Sequence, residues 1–428
     1  MQERIQNIVR DNRFSLFMLL CIAAYACLKF PFRAIADVFQ TLFLLGFIMC
    51  LVSNHRSLTQ EAVFKVFLLS LTFPVLSWIN STLSIPDLAN PSPSLSDAIG
   101  LFYFLPIAFL VAKSRTAIYV IWAAFSIGLL ISVFHYSPSV LDEIKAGVSG
   151  ERIDFGFYNL QHASAWAGAC LIIIAGITIK QLSQTKIKSS IAMIVTAIPF
   201  GFIFIATQTR QTFLGLFVAL ILVSIFYILK LRISKSKAII SLTVFALISA
   251  ITFNYSGIKE RTLSESDTYV SILTGEYNDF KNAREGSTVR FALWYAGFQW
   301  VKERPFLGSG REISEHIIKV SPYTPDSSKG SNHRHLHSYY MEILVSYGIY
   351  GLTIVLGLFA LVYSNLFKAR ISESFDEVQF VGLVFIPYWL IVNIFEPQLL
   401  TSPGQLIHNV MLGSFFFFAQ SKTDRLTS

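Results

Sequence analysis

The segment SSIAMIVTAIPFGFIFIATQTRQTFLGLFVALILVSIFYIL, residues 189–229, contains two long apolar runs separated by Arg210. Each run is close to the roughly 20 residues that an α-helix needs to cross a bilayer. Only a few polar residues, among them Gln208 and Thr209, lie between the runs. A charged residue at the end of a membrane span is a functional candidate by default. The segment therefore predicts two adjacent membrane helices with a candidate functional arginine at their junction.

The whole chain shares this apolar character. Of its 428 residues, 54% are hydrophobic and 14% are charged, and the mean hydropathy is +0.57. Soluble domains carry about a quarter charged residues, so the composition favours an all-α, polytopic membrane bundle. We expect about 12 transmembrane helices in a single transmembrane domain, residues 1–428. The predicted spans are 14–30, 34–53, 62–80, 97–113, 116–134, 163–180, 189–208, 211–229, 238–255, 336–366, 377–395 and 403–420.

The positive residues indicate how these spans are oriented. Lys and Arg gather in alternate connections, for example at Lys113 and Arg115 and again at 180–188, whereas 81–96 and 396–402 contain neither. Cytoplasmic loops are enriched in Lys and Arg, so the pattern predicts a multi-pass protein of the bacterial inner membrane with both termini in the cytoplasm. It also explains the net charge of +8 without a nucleic-acid partner, and membrane lipids are the expected surroundings.

One connection is much longer than the others. Residues 256–335 would form a large polar loop on the outer, periplasmic face, and loops of this length are commonly functional. Within the loop, residues 287–304 have the apolar periodicity of a helix. Ser287 is the expected N-cap and Pro305 the expected stop. The sequence therefore predicts a helical periplasmic cap inserted in the transmembrane domain.

Three arginines on the outer face suit the binding of an anion. Arg210 brings a fixed charge and a planar fork of donors that fits phosphate oxygens. Arg290 lies in the first turn of the predicted outer helix, where the helix dipole also favours anions. Arg152, in the loop before the sixth span, is the third candidate. For each of them a lipid-headgroup contact or a solvated surface position is the simpler alternative.

Three histidines alternate along residues 333–337, where the long loop enters the tenth span. Histidines in this pattern can ligate zinc, but no cysteine or acidic residue stands near them in the sequence, and no metal is expected. A general base is the favoured interpretation, because the dipole at a helix N-terminus disfavours the protonated imidazole. His337 directly precedes the helical run and is the catalytic candidate. His335 and Arg334 are secondary candidates.

Two questions about His337 stay open at this point. Glu342 is one residue past the helical i+4 position from His337, so the sequence does not decide whether it orients the histidine. A purely structural role, capping the helix, is the alternative for His337. Taken together, arginines and a neutral histidine on one face suit a pyrophosphate leaving group and an alcohol nucleophile. With no nucleotide outside the inner membrane, the donor would have to arrive activated on a lipid.

The segments ATQTRQTFLGL, STVRFALWYAGFQWVKERPFLGSG and HLHSYYMEILVSYGIYGL occur in this order along the chain. They resemble the three signature regions of the O-antigen ligase and polymerase superfamily. The stretch ERIDFGFYNLQHASAWAG also resembles the region before the middle spans of lipopolysaccharide O-antigen ligases. The likeness covers most of 150–360 and reaches the remaining residues only through topology.

This resemblance implies a membrane glycosyltransferase that needs neither a metal nor a cofactor. It would take a glycan from undecaprenyl pyrophosphate and join it to a sugar hydroxyl of lipid A-core in the periplasm. By the motifs, Arg210 and Arg290 would bind the donor pyrophosphate, Arg152 would assist, and His337, or else His335, would deprotonate the acceptor.

Two other classes of function are compatible with parts of the pattern. A polymerase that extends the lipid-linked glycan, or a protein O-oligosaccharyltransferase, would use the same donor with another acceptor. A transporter would need inverted repeats and ionisable residues near the bilayer midplane. The sequence has no convincing repeat and few charges within its spans, so the transferase classes are favoured.

Overall fold

This computed structural model describes residues 2–53, 61–111, 114–231, 286–330, 334–368 and 375–424, and most of these residues are in helices. No strand occurs among them, and the all-α class is confirmed. The helices are α1 (Gln2–Arg10), α2 (Asn12–Leu28), α3 (Arg33–Ser53), α4 (Ala62–Ser70), α5 (Thr72–Ser84), α6 (Leu95–Phe102), α7 (Phe104–Val111), α8 (Arg115–Tyr136), α9 (Val140–Val148), α10 (Leu160–Ser183), α11 (Ile187–Ala206), α12 (Arg210–Leu231), α13 (Ser287–Glu303), α14 (Ile313–Val320), α15 (Asp326–Lys329), α16 (Tyr339–Lys368), α17 (Glu377–Phe395) and α18 (Ser402–Asp424). Short 3₁₀ turns lie at Pro86–Leu88 and Gln398–Leu400.

Eight helical segments of the described chain are long and apolar enough to cross a membrane. They are Arg33–Ser53, Ala62–Ser84, Arg115–Tyr136, Leu160–Ser183, Ile187–Ala206, Arg210–Ile228, Tyr339–Lys368 and Glu377–Phe395. Each overlaps a predicted span, and the multi-pass membrane class is confirmed. The count of 12 stays a prediction. The spans predicted at 14–30 and 97–113 correspond to shorter apolar helices, the one at 403–420 lies in α18, and the one at 238–255 falls outside the described residues.

The core of the bundle is formed by α10 and α17. Within their apolar windows, 72% of α10 and 78% of α17 is buried, against 22% for α3 and 28% for α11. A helix that is apolar on all sides and buried on all sides belongs to the interior, whereas the outer helices present their apolar surface to lipid. The two central helices pack closely because Gly168 lies against the ring of Tyr388, whose hydroxyl donates to Ala165 O at 3.1 Å.

An ion-pair cluster joins three helices at one end of this core. Arg115 Nη1 lies 2.5 Å from Glu377 Oε1, and its Nη2 lies 2.7 Å from Asp376 Oδ2. Lys180, at the other end of α10 from Leu160, donates to Phe375 O at 2.7 Å. The 24 residues of α10 span about 36 Å, so the cluster and the N-terminus of α10 lie at opposite ends of the bundle.

Helix α16 is interrupted at Gly348, which has φ +64°. A side chain at this position would collide with the carbonyl of Phe306, so the break and the close approach both require glycine. Residues 305–310 pair with the interrupted segment through four backbone hydrogen bonds. These are Ser309 N to Val345 O at 2.9 Å, Gly310 N to Ser346 O at 2.9 Å, Ile349 N to Pro305 O at 2.8 Å and Tyr350 N to Phe306 O at 3.1 Å. The backbone groups freed by the break are thereby satisfied.

The inserted helices α13 to α15 form a small core of their own. The helix predicted at 287–304 is present as α13, although its N-cap is Gly286 and Ser287 is its first residue. The last helical residue is Glu303, two residues before Pro305. Apolar side chains from α13, α14, the segment before α16 and the first turns of α16 pack together; they are Val289, Leu293, Ala296, Val301, Ile313, Ile317, Ile318, Leu336 and Val345. Residues 256–285 and 331–333 of the predicted loop fall outside the described residues.

Candidate active site

His337 lies in the turn before α16, with its ring against a carboxylate from a distant part of the chain. Its Nδ1 lies 3.1 Å from Oε2 of Glu396, the residue that follows α17. The His337 side chain is 17% exposed and the Glu396 side chain is 1% exposed. The carboxylate is therefore shielded from solvent, while part of the imidazole remains accessible.

Glu396 is held in its ionised form by the groups around it. Burial is the largest single effect and would raise the pKa of its carboxyl, but the hydrogen bond and charge of His337 and the charges of His335 and Arg290 together outweigh burial, so the pKa lies below its ordinary value. Its Oε1 accepts a hydrogen bond from Asn159 Nδ2 at 2.9 Å. An ionised carboxylate only accepts hydrogen bonds, so Nδ1 of His337 is the donor. The neutral imidazole then carries its lone pair on Nε2.

Asn159 is itself fixed by the start of α10. As the N-cap, it accepts the N–H of Gln161 on its Oδ1 at 2.9 Å. One turn further along, His162 Nδ1 lies 2.7 Å from Gln398 Oε1, in the 3₁₀ turn after Glu396. The N-terminus of α10 and the segment 396–398 are thus joined by two side-chain hydrogen bonds, and the position of the carboxylate follows from the packing of the two central helices.

The backbone of His337 is in a conformation that residues with side chains rarely adopt. Its φ is +52°, in the left-handed region. Its N–H donates to His335 Nδ1 at 3.3 Å, and the two rings pack edge to face with their centroids 4.4 Å apart. Such a conformation persists only where the surrounding structure determines it, and it occurs frequently at functional sites. His335 therefore contacts the backbone and ring of His337, and His337 contacts the carboxylate.

Arg290 connects the first turn of α13 with the first turns of α12 and α10. Its Nη1 donates to Gln211 Oε1 at 3.3 Å, and Gln211 Nε2 donates to Gln161 Oε1. Arg210 is the first residue of α12 and directly precedes Gln211. The charge of Arg290 also acts on Glu396. The structure therefore brings both predicted phosphate-binding arginines to the helix ends that surround the His337–Glu396 pair.

Arg152 is attached to the connection between α11 and α12. Its Nε donates to Thr207 O at 3.2 Å, three residues before Arg210. Two further hydrogen bonds join the same segments, from Ile153 N to Ala206 O at 3.0 Å and from Gln208 Nε2 to Gly150 O at 2.9 Å. Arg152 is exposed, and its segment is placed beside the segment that carries Arg210.

Arg334 interacts with the inserted helices. The hydrogen bond and charge of Lys319 lower the pKa of Glu315 on α14, and Arg334 adds to this effect. Arg334 is exposed. Its placement beside α14 connects the segment before His337 to the inserted helices.

Three side chains at the site have the composition of a possible metal site. His335, His337 and Glu396 each offer one ligand atom, and these atoms lie within 4.8 Å of one another. Two histidines and a glutamate are a known set of zinc ligands. The Glu396 oxygen that faces His337 is the one that accepts its Nδ1–H, so a metal bound between them would replace this hydrogen bond.

Residues 192–356 match the family described as O-antigen ligase. The matched segment, which is less than half of the 428 residues, is similar to members of that family. Members of this family are glycosyltransferase-like enzymes. No curated protein matches the chain. The matched segment contains Arg210, Arg290 and His337, whereas Asn159 and Glu396 lie on either side of it.

Glu396 and Asn159 are not among the site residues predicted from the sequence. Glu396 stands at the end of an apolar run, in the segment 396–402 that has no Lys or Arg. The same rule that selected Arg210, a charged residue at the end of a span, applies to Glu396 and could have selected it. Asn159 offers no comparable signal, because asparagine caps helices in many structural contexts.

Proposed function

We propose that this protein is an O-antigen ligase, which transfers a glycan from undecaprenyl pyrophosphate to a sugar hydroxyl of lipid A-core. The observation that carries the proposal is the His337–Glu396 pair with Arg290 beside it. A histidine whose Nδ1 donates to a carboxylate suits the activation of an alcohol nucleophile, and a guanidinium suits a phosphate leaving group. The site belongs to the periplasmic face in this proposal, since Arg115 and Lys180, which the sequence assigns to the cytoplasm, lie at the other end of the bundle.

In the proposed reaction His337 is the catalytic base. Its Nε2 takes the proton of the acceptor hydroxyl as that oxygen forms a bond to the anomeric carbon of the donor glycan. The bond between the anomeric carbon and the phosphate oxygen breaks, and undecaprenyl pyrophosphate leaves with the electron pair. Glu396 stabilises the imidazolium that forms, because it lies against Nδ1 as an ionised carboxylate.

The arginines bind the pyrophosphate in this proposal. Negative charge grows on the leaving phosphate in the transition state, and preorganised donors at that position accelerate the reaction. Arg210 and Arg290 belong to the first turns of α12 and α13, where the backbone N–H groups also point toward an anion. Arg152 contributes from the neighbouring segment, and His335 and Arg334 have supporting roles. No metal or cofactor takes part.

The test is transfer by the purified protein in detergent or nanodiscs. Undecaprenyl-pyrophosphate glycan is supplied with and without lipid A-core, in EDTA, and the products are separated on a gel. Glycan on lipid A-core, formed only when this acceptor is present, supports the proposal. Longer lipid-linked glycan without the acceptor would assign a polymerase, and glycan on a protein acceptor an O-oligosaccharyltransferase. Activity that needs added zinc would instead assign the cluster of His335, His337 and Glu396 to a metal.

His337→Gln and His337→Ala test the base in the same assay. Glutamine can still donate to Glu396 but cannot take up a proton, so both variants should lose transfer by about 10²–10⁴-fold, the usual contribution of a general base. His135→Ala is the matched control. His135 lies in the last turn of α8, at the opposite end of that helix from Arg115, and is therefore a histidine on the same proposed periplasmic side as His337. Transfer at the wild-type rate by His337→Gln would refute the assignment.

A further inference from the structure

Glu342 is a buried carboxylate in the first turn of α16, and it does not contact the ring of His337. Its side chain accepts two hydrogen bonds, from the N–H of Leu336 at 2.5 Å and from the hydroxyl of Ser314 at 2.7 Å. The residue is 7% exposed. A buried carboxylate is unfavourable unless its oxygens are satisfied, and here a main-chain donor and a hydroxyl satisfy them.

The backbone of Glu342 makes a third contact in the same turn. Its own N–H donates to Ser338 O at 3.0 Å. The side chain of Glu342 therefore fixes the residue before His337, and its main chain fixes the residue after it. No other residue in the described part of the chain is bonded in this way to both neighbours of the histidine. The bonds of Glu342 to Leu336 and Ser338, called the Glu342 bracket below, enclose His337, the one residue of the turn whose φ is in the left-handed region.

Ser314 connects the bracket to the inserted helices. It is buried on α14, where Ile313, Ile317 and Ile318 pack against Leu336, the residue whose N–H Glu342 accepts. The turn that carries His337 is thus held between α14 on one side and α16 on the other. Glu342 is the side chain that bonds to both.

We propose that Glu342 is a positioning residue for His337: its carboxylate holds the left-handed turn before α16 against α14, so that the imidazole reaches Glu396 and the acceptor hydroxyl. The proposal rests on the proposed function, because it assumes that His337 is the base. Glu342 itself touches neither substrate nor the reacting atoms. Its effect should therefore appear in the rate of the chemical step and leave substrate binding nearly unchanged.

Three substitutions separate the parts of this bracket. Glu342→Gln keeps an oxygen for Leu336 N–H and offers its amide N–H to Ser314, so kcat should stay within about threefold of wild type. Glu342→Asp keeps the charge but is one methylene shorter and cannot reach both donors, and kcat should fall by about tenfold. Glu342→Leu removes both acceptors at similar volume, and kcat should fall by about 10²-fold, the usual effect of a misplacement near 1 Å. KM should change by less than about twofold in all three.

A second measurement does not depend on transfer activity. Hydrogen exchange, followed by mass spectrometry, should be faster in the peptide that covers residues 334–339 in Glu342→Asp and Glu342→Leu, and unchanged in Glu342→Gln. If the variants show this exchange pattern but wild-type protein shows no transfer, the proposed function is refuted, while the hydrogen bonds of Glu342 to the turn are supported. Folded Glu342→Asp with wild-type kcat and wild-type exchange would overturn the positioning role. If Glu342→Leu does not fold, Glu342→Asp and Glu342→Gln decide the question. Loss of a carboxylate with only a structural role would lower Tm without lowering kcat at constant KM.

Discussion

The hydrogen-bond pattern at Glu396 predicts that its substitution by glutamine is not conservative. Both partners of the carboxylate are donors: Asn159 Nδ2 donates to Oε1, and His337 Nδ1 donates to Oε2. A glutamine at this position has one oxygen and one NH₂ group, so either Asn159 Nδ2 or His337 Nδ1, both of them donors, must face the NH₂ group. Asn159 cannot rotate its amide to compensate, because its Oδ1 accepts the N–H of Gln161 at the start of α10.

The size of the effect follows from these contacts. A hydrogen bond to a charged group contributes about 1.5–3 kcal/mol, and Glu396→Gln loses the charge and leaves one of two donors unsatisfied. If most of this loss falls on the transition state, in which the imidazole is positively charged, kcat should decrease by about 10- to 150-fold, at 1.4 kcal/mol per factor of ten.

A second substitution should repair the pattern. In Asn159→Asp/Glu396→Gln, the new aspartate accepts the glutamine NH₂ group and still caps α10, since aspartate is a good N-cap. The glutamine oxygen is then free for His337 Nδ1–H, and the negative charge is retained one side chain away. We expect the double variant to recover at least about tenfold of the activity that Glu396→Gln loses, whereas Asn159→Asp alone places two carboxylates together and is impaired.

The assay is single-turnover transfer from lipid-linked glycan to lipid A-core, with the four proteins compared as a double-mutant cycle. Thermal unfolding in the same detergent shows whether each variant is folded. Additive losses, with no recovery in the double variant, would mean that the two side chains do not act on His337 through the observed bonds. Glu396→Gln with full activity would refute the role of the carboxylate altogether.

Arg210→Lys should lower kcat/KM by about 10- to 100-fold in the transfer assay, because a point charge cannot replace the two parallel donors of a guanidinium; equal activity of the lysine variant would exclude a phosphate clamp. The lowered pKa of Glu396 means that its ionised carboxylate stabilises the folded protein above about pH 4.3 and that this contribution is lost as the pH falls through the lower folded-state value. The Tm of the wild type should therefore fall more steeply with pH in that window than the Tm of Glu396→Gln. Arg115→Ala leaves the buried carboxylates of Asp376 and Glu377 with less compensation and should cost about 1–3 kcal/mol, discounted for the exposed arginine, and it should lower Tm in detergent without changing kcat at a temperature where the variant is folded.

The membrane helices could be predicted because their signal is local. A run of about 20 apolar residues decides a span on its own, and eight of the predicted spans have counterparts among the candidate membrane helices of the described chain. The sequence signal for the helix at 287–304 was equally local, because apolar residues repeat there with the helical period. Its N-cap was misplaced by one residue, since Gly286 adopts φ +82° and begins the helix in place of a side-chain cap at Ser287.

The environment of His337 could not be predicted in the same way. Glu342 was noted in the sequence, but its role depends on where Leu336 and Ser314 lie, and this is decided by the docking of α14 on α16. Glu396 lies 59 residues from His337 along the chain. The distance along the sequence between the histidines and Glu396 did not indicate their contact, because the turn after α17 and the turn before α16 meet only when the bundle is assembled.

The segment that matches the O-antigen ligase family does not contain the whole candidate site in this structure. It contains Arg210, Arg290 and His337, but the carboxylate that faces the histidine follows α17, and the asparagine that fixes this carboxylate precedes α10. These two helices are the most buried of the eight candidate membrane spans of the described chain. The central pair of helices therefore supplies the fixed negative charge, and the matched segment supplies the histidine and the arginines around it. Substitutions in the packing of α10 against α17, such as a larger residue at Gly168, should consequently disturb the site from outside the matched segment, because they displace the two helix ends that carry Asn159 and Glu396.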